Sequence, residues 1–177
     1  VTHRNYAAAQ AEVAAGGSPL NHDGQQNPGY LAWRRVAKRI KEIGDVFRSV
    51  FGEAEMMSRV RPVLAAQSAQ PEGLRQGLEF LNAVYGPPSR FLYAVSGAPY
   101  FGIAPDVSDR TDLTVDRIFE EIAPRFAGSR SMSEIYSMWA RWYGLRNIAY
   151  EGGPHLVGAP SLQAKIALAK EQVRAAE

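Results

Sequence analysis

Apolar residues recur along this chain first at helical spacing and then in short runs, and the two patterns alternate. The opening segment "NYAAAQAEVAAGG" is alanine-rich and helix-prone, with Gly16 and Gly17 as its stop. A loop dense in turn formers follows, "SPLNHDGQQNPG". From Leu31, Val36, Ile40, Ile43, Phe47 and Val50 recur at spacings of three and four, which predicts a long amphipathic helix ending near Gly52. Gly44 is a weak point inside it. The period then changes. "RVRPVLAAQ" (59–67) suits a short buried strand, although Pro62 removes a ladder donor. Leu74, Leu78, Leu81 and Val84 predict a helix from Pro71 to a stop at Gly86. "RFLYAVS" (90–96) is the clearest strand.

Beyond a long loop, Thr114 is placed to cap a helix carrying Val115, Ile118, Phe119 and Ile122, which Pro124 should interrupt. Ser131 and Glu134 have capping-box spacing and predict a new helix through Ile135, Met138, Trp139 and Trp142, stopping at Gly144. "RNIAY" reads as a third buried strand, and a last helix is expected from Ser161. Strands alternating with helices imply parallel βαβ units in a single domain, residues 1–177. Three parallel strands leave two unpaired edges, so the pattern reads as α/β and a section of a larger sheet. The expectation is a partial (β/α)8 TIM barrel of about three strands with covering helices.

Composition narrows this picture only a little. The 177 residues are 46% hydrophobic, contain no cysteine and carry a formal net charge of +2. Disulfides, thiolate metal sites and thiol nucleophiles are thereby excluded. The small net charge makes nucleic acid a poor expectation, and no apolar run is long enough to span a membrane. The three histidines, His3, His22 and His155, lack metal-ligand spacing. No metal or cofactor is expected. Arg34, Arg35, Lys38, Arg39 and Lys41 could form a phosphate-binding face, but acids follow in the same helix and a solvated face is the simpler reading.

The C-terminal ends of parallel strands are where such folds place chemistry. That rule selects Gln67 and Ser68, the stretch "SGAPYFG" (96–102), and Glu151. Ser96, Tyr100, Phe101 and Asp106 belong to the second place or its loop, and aromatic rings beside carboxylates suit sugars. Glu151 is followed by Gly152, Gly153 and Pro154, with His155 four residues on; the glycines should leave open space beside the carboxylate. A strand-end Glu can act as nucleophile or base in glycoside hydrolysis, while a capping Glu in an ordinary turn is the plain alternative.

The stretches "IAYEGGPHLVG", "RFLYAVSGAPYFG" and "VFGEAEMMSRVRPVLAAQ" resemble a little-characterised group of secreted proteins similar to clan A glycoside hydrolases. The resemblance implies a barrel whose fifth, sixth and seventh strands are the three above. It implies Glu151 as nucleophile, with Tyr100 as the ring that steadies it. Gln67, Ser96, Tyr100, Phe101, Asp106 and His155 are then the expected substrate-binding residues. It further implies an extracellular or periplasmic location. The acid/base Glu that such barrels carry after their fourth strand has no counterpart here. A second polypeptide completing the barrel is therefore expected, with carbohydrate as substrate. The alternative is a non-catalytic carbohydrate-binding or structural module.

Overall fold

A computed structural model of the chain describes residues 3–103, 107, 110, 113–154, 166–167, 171 and 175. The order of elements is α1 (His3–Ala14), α2 (Pro28–Phe51), β1 (Val63–Ala65), α3 (Pro71–Tyr85), β2 (Ala94–Gly97), β3 (Tyr100–Phe101), α4 (Val115–Trp142), β4 (Arg146–Ala149) and β5 (Gly153–Pro154). β1, β2 and β4 pair in parallel in that order, and β3 pairs in parallel with β5. The expected last helix begins outside the described residues.

Register fixes which side of the main sheet faces the helices. Leu64, Val95 and Asn147 stand side by side. The Leu64 side chain reaches the α3 backbone at Gly77, and the Asn147 amide donates to Ser137 Oγ of α4 at 2.8 Å. The neighbouring row, Ala65, Ser96 and Ile148, therefore points to the opposite face. The core lies on the helix side, where Leu31 and Ala37 of α2, Leu74, Leu78, Phe80 and Leu81 of α3, and Tyr136 and Ala140 of α4 meet Leu64 and Val95.

This architecture corrects the barrel expectation. Among the described residues the main sheet has three strands and does not close, and β1 and β4 are its edges. Three strands at the usual twist turn through too small an arc to meet. The fold is an open α/β arrangement of two small parallel sheets. β4 also departs from the buried strand expected of "RNIAY": all four of its residues are exposed, because it is an edge with one neighbour.

Several elements form for reasons the sequence states. Asn27 caps α2 by accepting from Gly29 and Tyr30, and Pro28 takes the first helical position. α2 runs unbroken through Gly44, which lets the helix approach Pro62, 3.5 Å from where a Cβ would stand. β2 starts four residues later than the apolar run, because Phe91 and Leu92 bond back to the Pro88 carbonyl in a tight turn. Pro124 does not split the fourth helical region. It sits exposed within a continuous α4. The capping-box residues act otherwise there: Ser131 donates to the Ala127 carbonyl and Glu134 pairs with Arg130.

The basic cluster of α2 is largely paired. Lys38 meets Glu12 at 2.5 Å, Lys41 meets Asp45, and Arg39 meets Glu42. Arg34 is not on a solvated face at all. It is buried, grips both Asp23 oxygens at 2.7 Å, and donates to Gln76 and the Leu20 carbonyl. The Arg34 guanidinium holds the Asp23 carboxyl far below its ordinary value of 3.8. With the folded value depressed, this stabilisation is complete above about pH 4 and disappears as pH falls further. The Asp23 side chain is 44% exposed, so solvent screening leaves about 1 kcal/mol. Asp23→Asn should be less stable than wild type by that amount at neutral pH in urea titrations. The gap should close in strong acid; a constant gap would contradict the assignment.

Candidate functional site

The C-terminal ends of β1, β2 and β4 lie together, and the chain that leaves each carries the candidate residues. β4 leads through Tyr150, whose N–H donates to the Gly97 carbonyl, into the bend that holds Glu151. β2 leads through Ala98 and Pro99 to Tyr100, whose register partner is Gly153. Two segments far apart in sequence thus bring Tyr100 and Glu151 together. The Tyr100 phenol lies within interaction range of the Glu151 carboxylate. Desolvation first, and then this carboxylate, raise the phenol pKa above its ordinary 10.0, so it stays protonated as a donor at neutral pH.

The glycines after Glu151 play two different parts. A Cβ on Gly152 would lie 3.1 Å from the Pro99 ring and 3.3 Å from its carbonyl oxygen. Gly152 therefore permits close packing of the two segments, and does not serve to leave space as the sequence suggested. Gly153 has φ of +114° with nothing within 4 Å, a turn that only glycine makes easily.

Glu151 borders an open groove of about 490 Å³. Its floor is Pro99, Ala149, Gly152 and Gly153, and its α4 wall is Phe126, Ser129, Arg130 and Ser133. Phe101 and Phe126 meet edge to face at 5.1 Å and form an aromatic side. The groove adjoins a smaller recess of about 180 Å³ that shares Pro99, Ser133 and Ala149 and reaches Ser68 and Tyr136. Tyr136 donates to the Gln67 carbonyl at 2.8 Å and pins the end of β1; burial pushes its phenol up to about 12. Among the described lining residues of the groove, Glu151 is the one carboxylate and Arg130 the one cation.

The expected residues are thus only partly assembled. Glu151 and Phe101 line the groove, and Tyr100 lies beside Glu151. Gln67 lines a different cavity, at the end of β1. Ser96 is fully buried with its hydroxyl unpartnered and lines none of these cavities; Gly97 reaches the recess instead. Asp106 and His155 lie outside the described residues. The α4 wall was missed by sequence reasoning, because Phe126, Ser129 and Arg130 sit where Pro124 suggested a break. Trp142, on the helical stripe of Ile135 and Met138, is 78% exposed at the end of α4.

Among the described residues, no group of three or more His, Cys, Asp or Glu converges to hold a metal, and no helix is long and apolar enough to cross a membrane. No family model, curated protein or solved structure matches the chain.

Proposed function

We propose that the protein acts on carbohydrate, with Glu151 as the nucleophilic carboxylate of a retaining glycoside hydrolase. The observation that carries this reading is the Tyr100–Glu151 pair at the strand ends, opening onto a groove with an aromatic side. A phenol donor aligns one carboxylate oxygen and leaves the other to attack an anomeric carbon. Phe101 and Phe126 suit the apolar face of a sugar ring, and Ser129 and Ser133 suit its hydroxyls. The second carboxylate, which protonates the leaving oxygen, comes from outside the described residues.

The absence of that acid from the described groove favours one other reading, a carbohydrate-binding module without catalysis. Dinitrophenyl glycosides separate the two, because dinitrophenolate departs without being protonated and so needs no acid partner. The glycosidase reading expects release of dinitrophenolate by wild type and none by Glu151→Ala. Binding of the glycoside without release by wild type would replace it with the binding module.

A further inference from the structure

The cavity at the end of β1, about 290 Å³ in volume, is separate from the Glu151 groove and has a different chemistry. It is framed by Asn5 of α1, Trp33 of α2, Gln67 and Gln70 before α3, and Tyr150. The Trp33 ring is fixed in place. A Cβ on Gly73 would lie 2.9 Å from Trp33 Cε2 and 3.0 Å from Nε1, so the ring rests directly on the α3 backbone. Among the described residues, the Trp33 indole N–H and the side-chain amides of Gln67 and Gln70 have no hydrogen-bond partner. Asn5 accepts weakly from Arg35, which leaves its N–H donors unused.

These groups supply donors and acceptors together, on apolar walls that include Val36 and Leu64. No lining residue is charged. An ionic ligand would lose its hydration with no counter-charge to replace it. Every hydroxyl of a sugar, by contrast, both donates and accepts, and the C–H face of the ring is apolar. The volume is at the small end of ligand sites, which start near ~300 Å³, and suits one ring and not a chain.

We propose that this cavity binds one neutral sugar unit. The choice of sugar among neutral ligands rests on the carbohydrate reading of the neighbouring groove. Tyr150 and Glu151 are consecutive and border the two cavities, so one glycan can engage both by crossing the end of β4.

The test is an NMR titration of the full chain, labelled with ¹⁵N, using methyl glucoside, methyl galactoside, methyl mannoside and glucuronate. The reporters are the Trp33 indole N–H, assigned through Trp33→Phe, and the amides of Gln67 and Gln70. At least one neutral glycoside should give saturable shifts, and glucuronate should bind more weakly. Gln67→Ala with Gln70→Ala should weaken binding about tenfold or more. Both residues are exposed, so the double variant should keep the circular dichroism of wild type. No saturable shift with any neutral glycoside, equal binding by the double variant, or preference for glucuronate would each overturn the proposal. Setting the wild-type titration beside wild-type release of dinitrophenolate separates the two claims. Intact shifts in wild type that releases no dinitrophenolate would sink the glycosidase and spare this site, and release by wild type without shifts would do the reverse.

Discussion

Glu151→Gln is expected to lower release of dinitrophenolate by roughly 10³-fold or more while leaving glycoside binding near wild type. The amide has the shape of the carboxylate but is not a nucleophile. Its carbonyl oxygen can still accept from the Tyr100 phenol, so the loop and the groove should keep their form. The exposed position of Glu151 makes this a clean substitution, since no buried partner is left unpaired. The effect should therefore lie in kcat. A variant that lost binding and kept its rate per bound substrate would mean that Glu151 positions the sugar without reacting.

The largest loss of stability is expected from Phe80→Ala. Phe80 is fully buried on α3, packs edge to face against Tyr85 at 5.7 Å, and approaches the His22 ring at 6.0 Å. Its neighbours come from helices and turns tied together by the Arg34 network, which limits their collapse into the space left. Deleting such a ring costs about 3–5 kcal/mol through lost transfer energy and the cavity left behind. A domain of this size commonly has about 5–15 kcal/mol in total, so the variant should unfold at a much lower urea concentration. A loss under about 1 kcal/mol would mean the α2–α3 core is loosely packed.

Local pattern located most elements, because periodicity and capping act within a few residues. Val63–Ala65 and Arg146–Ala149 fall inside two of the stretches read as strands, Ala94–Gly97 runs one residue past the third, and Gly52, Gly86 and Gly144 mark helix ends. Closure of a sheet is not a local property. The same three strands fit an open sheet as well as a barrel section, and strand pattern could not tell that β4 is an exposed edge. Pro124 misled for a related reason: an exposed proline costs a long helix one hydrogen bond, which the rest of α4 outweighs.

The site was legible in part. Strand-end logic singled out Glu151 and Tyr100, which the fold brings near each other. It failed for Ser96, where one step of alternation decides between burial and a cavity. It also missed Trp33, whose place beside Gln67 depends on α2 resting on Gly73. Such contacts arise from packing between distant segments and leave no mark on spacing.

The most direct measurement is mass spectrometry of the peptide containing Glu151 after reaction with an activated fluorinated glycoside, whose glycosyl-enzyme intermediate hydrolyses slowly. A glycosyl mass on Glu151, missing in Glu151→Gln, is the result predicted. An unlabelled peptide from a chain that releases the leaving group, or a label on another carboxylate, would contradict Glu151 as the nucleophile.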